Sequence, residues 1–450
     1  MTIVTFLKGC KMVNEKQSSQ LCNNLLFPKL FQTFRIAIHH SNLIIAFLGV
    51  VIIFASGRLM DLNKTVVVSR DSQGKIQTEL QKYIENSNQV ESYIEKSKDN
   101  GQCIGVFSTL WQYAAERFQG AVDSLFAFDL HGVVENIANY FRSIRWALKY
   151  HFVYCIIFFA IKLAVISVAG GAICRLAALQ FSRGEKPGLT EALRFSSQRF
   201  TSFFAAPLAP LCIIAALGLL IFILGLIGNI PRAGELVIGI FMLFALIVGT
   251  LITVVVIGTF VGFNLMFPAV AYDGSDCFDA ISRSFSYVYA RPWRMIFYTA
   301  ISAVYGAICY IFVRFFAFLL LWFTQRFLRL GIWAENSEGV NKLTAIWSEP
   351  SFMKLSGAPV PAATTWSETA GAFLVQLSLW LVFGLILSVI VSFYFSANTI
   401  IYSLMRRKVD NTALDDIYTH FDDAITEPIA TEANSETTQS DSETESNSSS

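Results

Sequence analysis

Apolar positions along this chain gather into long runs that contain no Asp, Glu, Lys or Arg: Ile36–Gly57, Phe200–Pro231, Leu236–Tyr272, Met295–Val313 and Thr369–Met405. About 20 residues of helix cross the roughly 30 Å of hydrocarbon in a bilayer, so each run can span one. With the apolar stretch around Lys162, the expected spans number six, near 42–57, 151–174, 203–229, 236–266, 296–322 and 371–404. The expected fold is all-α, a polytopic helical membrane protein with interfacial elbow helices. Two runs of 37 residues, Leu236–Tyr272 and Thr369–Met405, are too long for one upright helix and too short for two. Each is expected to be a single tilted helix with an interfacial extension.

Between the first two spans the pattern becomes amphipathic. Ile76, Leu80, Tyr83, Val90 and Ile94 predict one narrow-striped helix that stops at Gly101. Phe107, Trp111, Ala114, Phe118, Val122 and Leu125 make a broader stripe. After a break at Asp129–Gly132, Val133, Ile137, Phe141, Ile144 and Leu148 make a third. These stripes are expected to pack on the protein's own spans, with the membrane face or a protein partner as the alternatives. The expected organisation is an N-terminal segment 1–41 with an interfacial helix and a first span 42–57. A helical extracytoplasmic segment 58–150, a five-helix transmembrane domain 151–408 and an acidic tail 409–450 follow.

Short amphipathic elbows precede several spans. Leu30, Phe31, Phe34 and Ile38 follow Pro28 at the first. The stretch Asp273–Arg294 offers Ser275 or Asp276 as a helix cap. It has an apolar face of Phe278, Ile281, Phe285 and Val288, and Pro292 is placed for the first turn of the next span. Glu191–Ser196 aligns with Asp279–Ser284 at an offset of 88, which raises a duplicated unit of elbow plus spans. Gly258 and Gly262 permit a close helix approach, and Pro207 and Pro210 should loosen the start of the third span.

Composition removes the soluble alternatives: 450 residues at 54% hydrophobic and 15% charged do not make an ordinary soluble domain. Charge changes the picture further. Of 33 acidic residues eleven lie after Lys408, so the other 22 face 34 Lys and Arg and leave the body at +12. The tail from about Ala430 should be disordered, and it is expected to screen the basic surface from anionic lipid. Basic residues cluster before the first span, at Arg175–Arg199, at Arg283–Arg294 and at Arg406–Lys408, which six spans place on one side. Both termini are therefore expected to be cytoplasmic, in an inner membrane. Eleven Lys and Arg between Arg58 and Lys149 count against this, although the rule is weak for long loops. About 40 residues precede the first span, so no cleavable signal is expected.

Candidate chemistry is sparse. The eight cysteines form no CxxC pair, and HExxH, GxSxG and phosphate-cradling Gly loops are absent, so no catalytic residue, metal or cofactor is expected. Lys162 and Arg314 lie inside predicted spans, where a charge costs a few kcal/mol and is a functional candidate by default. Lys162 is too central to reach an interface easily, whereas Arg314 is expected to snorkel outward. The candidate lipid-contacting residues are Arg194, Arg199, Arg283, Arg291, Arg294, Arg406, Arg407 and Lys408.

The stretch Phe267–Arg294, with Ala280, Arg283-Ser284 and Trp293, resembles a broad group of bacterial polytopic inner-membrane proteins. That group includes the membrane domain fused to some glycerophosphodiester phosphodiesterases. The last span, ending Ile401-Tyr-Ser-Leu-Met-Arg-Arg-Lys-Val-Asp410, is similar to the close of one such subgroup. The resemblance covers residues 150–420 and implies a repeated helical membrane domain without a catalytic residue. The function expected is a non-enzymatic accessory or scaffold module. Its partners would be membrane lipid and a membrane or extracytoplasmic protein, not nucleic acid. The alternative is a transporter or channel with a site near Lys162.

Overall fold

The computed structural model describes residues 27–70, 76–97, 102–231, 233–335, 339, 341–352, 355 and 365–418. The expected helix stop at Gly101, the basic residues before Phe27 and the tail beyond 418 lie outside them.

A 3-10 turn, Phe27–Gln32, leads through α1 (Thr33–Ala37) into α2 (His40–Met60). Next come β1 (Val66–Arg70), β2 (Ile76–Thr78), α3 (Glu79–Glu85), α4 (Val90–Ser97) and β3 (Gln102–Ile104). A helical hairpin, α5 (Val106–Phe126) and α6 (Leu130–Tyr150), returns the chain to the bundle. The bundle continues with α7 (Phe152–Ser182), α8 (Leu189–Gln198), α9 (Phe200–Ala205), α10 (Ala209–Ile227) and α11 (Gly234–Asp273). Helices α12 (Cys277–Ala290), α13 (Pro292–Gly331), α14 (Lys342–Ile346) and α15 (Trp366–Val409) complete the order.

Among the described residues six helices, α2, α7, α10, α11, α13 and α15, are long and apolar enough to cross a membrane. This is a polytopic helical membrane protein. The spans are apolar all round, as lipid rather than water requires; in α10 only Pro210 is buried. The two longest runs are indeed single helices, of 40 residues in α11 and 44 in α15. The third span breaks at Ala206–Leu208, where Pro207 lacks the donor a helix interior needs, and restarts with Pro210 in its first turn.

The segment between the first two spans departs from the expected all-helical reading. It holds a three-stranded antiparallel sheet of order β2-β1-β3, with Val68 opposite both Thr78 and Gln102. Ile76 therefore belongs to a strand, and the stripe assigned to one helix is divided among β2, α3 and α4. Thr78 starts α3 with a capping box to Gln81, and the helical run breaks at Asn86–Gln89. Helix α5 docks on the spans through Phe107, whose ring lies where a Cβ on Gly57 would stand. Helix α6 does not follow the expected packing: it turns Asn139, Ser143, Trp146 and Ala147 inward and leaves its apolar stripe exposed.

The main core gathers at one end of the bundle, which we call the terminal face because α1 and the end of α15 meet there. Small and medium side chains fill it, among them Ala172, Ala177, Ala269, Ala271, Ile36, Tyr272 and Ile400. The elbows pack into this core. A Cβ on Gly171 would lie 2.6 Å from Ser196 Oγ, so the glycine lets α8 cross α7 closely. Ser196 Oγ donates to the Ser167 and Val168 carbonyls at 3.0 and 2.7 Å. Its counterpart Ser284 is equally buried where α12 crosses α11 at Gly262. The two segments aligned by sequence thus pack in a similar way on the second and fourth spans. The buried face of α12 is rotated from the one expected. Ala280, Ile281, Ser284, Tyr287 and Val288 point inward, and Phe278 points out.

Candidate functional site

The densest polar arrangement among the described residues closes the terminal face. Helix α11 ends at Asp273 because Gly274 takes the left-handed conformation, φ +61°, that most residues avoid. The Asp273 side chain, 6% exposed, is held from three sides. Arg406 Nε lies 3.2 Å from Oδ1, Tyr402 Oη donates to Oδ2, and Arg283 Nη1 donates to Oδ2 at 3.4 Å. The Arg406 contact is an ion pair without hydrogen-bond alignment. The other face of the Arg406 guanidinium donates to the Asp416 carbonyl at 2.6 Å and its carboxylate at 3.1 Å.

Residues 410–418 thus fold back across the helix ends as a strap. Tyr287 Oη donates to Asp410 and Tyr272 Oη to the Leu414 carbonyl, while the Tyr418 N–H donates to the Tyr272 carbonyl at 3.1 Å. Arg175, from α7, donates to the Ala271 and Tyr418 carbonyls at 3.2 and 2.8 Å and stacks 4.5 Å over Phe195. Burial and the Asp410 carboxylate push the Tyr287 hydroxyl well above its ordinary range, so it remains a donor. Each oxygen of Asp273 faces a fixed internal donor or cation. The arrangement is a lock on three spans and an elbow, not a set of groups open to a substrate.

The candidate lipid-contacting residues divide accordingly. Arg406 is buried, and its pairing with Asp273 and Asp416 takes it out of the lipid-facing set. Arg283 bridges Asp273 and Asp279, and Arg199 reaches Asp276 at 4.0 Å and the Tyr418 ring. Arg194, Arg291, Arg294 and Arg407 are exposed, Lys408 is half-buried, and none has a carboxylate within ion-pair reach among the described residues. Exposed Trp293 lies between Arg291 and Arg294 in sequence.

The two intramembrane candidates also differ. Arg314 does not snorkel but is buried. It donates to Gln119 Oε1 at 2.6 Å, Tyr310 Oη at 2.8 Å and the Phe352 carbonyl at 3.0 Å, which clamps α5 to α13. Lys162 is half-buried in α7 and has no hydrogen-bond or ion-pair partner among the described residues.

At the far face a second carboxylate, Glu79, is 2% exposed. Trp146 Nε1 donates to it at 3.1 Å, and His151 Nε2 lies 3.8 Å away. Burial pushes the Glu79 carboxyl above its usual range, partly offset by donors from Trp146 and the Val67 N–H, and burial pushes His151 down. Both shifts favour the neutral forms of the two groups. A nearby cleft is bounded by Arg58, Lys64, Gln81, Gln112 and Glu116. Asp61, in the same wall, instead caps α5 through the Phe107 and Ser108 N–H groups at 2.8 and 2.9 Å. Among the described residues no group of three or more His, Cys, Asp or Glu could hold a metal ion.

Sequence reasoning did not single out Asp273, Tyr402, Tyr287, Arg175 or Tyr418. A signal was present: two charge-free runs that end at one face close with opposite charges, Asp273 after one and Arg406 after the other. Fold and site together define the class, an integral multi-pass helical membrane protein. No protein-family model matches the chain, and neither does any curated protein or solved structure.

Proposed function

We propose that the protein is a non-enzymatic membrane scaffold whose terminal face lies at the cytoplasmic surface and collects anionic lipid. The reading is carried by the division among the arginines. Arg199, Arg283 and Arg406 have internal carboxylates, whereas Arg194, Arg291, Arg294 and Arg407 stand exposed, and exposed Trp293 lies between Arg291 and Arg294 in sequence. A cation flanked by an apolar ring at a helix elbow suits a phosphate headgroup above and acyl chains below. The resemblance of residues 267–294 to bacterial inner-membrane proteins supports the same placement. Lipids that co-purify with the protein from mixed zwitterionic and anionic nanodiscs should be enriched in the anionic species. The variant R194Q/R291Q/R294Q/R407Q should lose that enrichment, and equal lipid profiles would overturn the reading.

A second reading rests on Lys162, which is half-buried in a span without a partner among the described residues. Transport through a site there predicts proteoliposome flux that disappears in Lys162→Leu while the fold persists. A scaffold instead predicts a stable partner that co-purifies through residues 60–148.

A further inference from the structure

We infer that the α5–α6 hairpin is a lipid-inserted wedge, seated in the bilayer leaflet opposite the terminal face through its tip and the outer stripe of α6. A water-soluble helical hairpin buries its apolar faces, and this one leaves the apolar stripe of α6 outside its seam. At the base of the seam Val106 and Tyr113 of α5 cluster with Trp146 and Ala147 of α6, but toward the tip it is polar: Arg117 Nη1 donates to Asn136 Oδ1 at 3.4 Å, and Asn139 and Ser143 are buried. Leu130, Val134, Ile137, Phe141, Ile144 and Leu148 are turned outward, from 36% to 73% exposed. At 3.6 residues per turn these six fall within an arc of roughly 80°. His131, Arg142, Arg145 and Lys149 flank the stripe on one side, as suits a helix whose apolar face enters acyl chains beneath phosphate headgroups.

The tip sharpens the inference. Phe128 is 92% exposed and held at φ +55°, a left-handed conformation that a bulky residue adopts only at a cost of order 1 kcal/mol or more. That geometry projects an aromatic ring away from the protein, between exposed Phe126 and Leu130. Such a ring is stabilised by hydrocarbon and by nothing else in the described structure.

The occupant follows from where the hairpin is fastened. One end of α5 is set on α2 by Phe107, whose ring lies 5.4 Å from that of Phe54. Further along, Phe118 meets the Tyr310 ring at 5.2 Å and Gln119 meets Arg314, both on α13. The hairpin therefore lies alongside span surface rather than projecting from it. Only His151 separates α6 from α7, and the exposed stripe passes from Leu148 to Phe152, Val153 and Ile156, the lipid-facing start of that span. The α6 stripe is thus continuous with a surface that already faces lipid.

The test places a nitroxide at residue 128, 134 or 137, with residue 135 as the control, in a full-length chain with serine at its native cysteines. The labelled protein is reconstituted in phosphatidylcholine–phosphatidylglycerol vesicles. Labels at 128, 134 and 137 should be accessible to oxygen and shielded from a water-soluble nickel chelate, and the label at 135 the reverse. Nickel access at the stripe would overturn the inference, as would shielding from both reagents, which marks cover by a protein partner or a second copy. Independently, with native cysteines retained, a benzophenone amino acid at 128 or 141 should form lipid adducts on irradiation. Protein adducts alone, or neither, would overturn it by a route that does not depend on the cysteine-free background.

Discussion

Asp273 and Glu79 sit at opposite ends of the bundle, 6% and 2% exposed as side chains, and are kept buried by opposite means. Asp273 is neutralised by charge: two arginines and a tyrosine converge on it from α12 and α15. Glu79 has N–H donors from Trp146 and Val67, and a His151 whose pKa burial pushes down lies nearby. The first arrangement depends on every member being present. The second has no cation facing it, and burial raises the carboxyl's pKa.

The comparison predicts opposite outcomes for one isosteric change. Asp273→Asn should cost the most, about 3–5 kcal/mol, because it leaves Arg406 buried with its main counter-charge removed. Denaturant unfolding in micelles measures this, and a loss under about 1 kcal/mol would mean that Asp416 and solvent, not Asp273, compensate Arg406. Trp146→Phe should cost less, roughly 1–3 kcal/mol, by removing an N–H donor from a buried carboxyl. Amide exchange in α6 reads it, and unchanged protection would show that the Trp146 bond contributes nothing.

Glu79→Gln should have the smallest effect and the opposite sign. Because burial raises the Glu79 pKa, its contribution is complete below the ordinary value of 4.5 and is lost as pH rises through the folded value. The amide should therefore stabilise the far-face segment at pH 8 by about 1 kcal/mol, with the gain vanishing on acidification toward that value. His151, whose pKa is lowered, pulls the other way and loses stability as pH falls below its ordinary 6.5. A variant less stable than wild type at pH 8 would place Glu79 in the same class as Asp273.

The spans were legible in the sequence because twenty residues without a charge have few other uses, and all six were located there. The sheet was not, since Ile76, Leu80, Tyr83, Val90 and Ile94 keep helical spacing across a strand, a 3-10 turn and two helices. What makes Val66–Val68 a strand is pairing with Gln102–Ile104, and a local pattern cannot display a distant partner. Arg314 was visible as a charge near a span end, but its partner Gln119 lies 195 residues away. The same holds for the terminal face: Asp273 and Arg406 are conspicuous at the ends of charge-free runs, yet only the crossing of α11 and α15 pairs them. The lipid-facing role of Arg406 failed for that reason, whereas Arg291 and Arg294 have no acid facing them among the described residues.

The strap has a consequence for biosynthesis. Residues 410–418 are translated after all six spans, so the terminal face is sealed by the last part of the helical domain to reach the membrane. Asp273 is translated 129 residues before Tyr402, and until Tyr402 and Arg406 arrive its only partner from this cluster is Arg283. A chain interrupted between α15 and the strap would hold all its oily helices but leave Arg406 without Asp416 and Tyr287 without Asp410. The strap thus completes the charge balance of the terminal face after the hydrophobic content is in place.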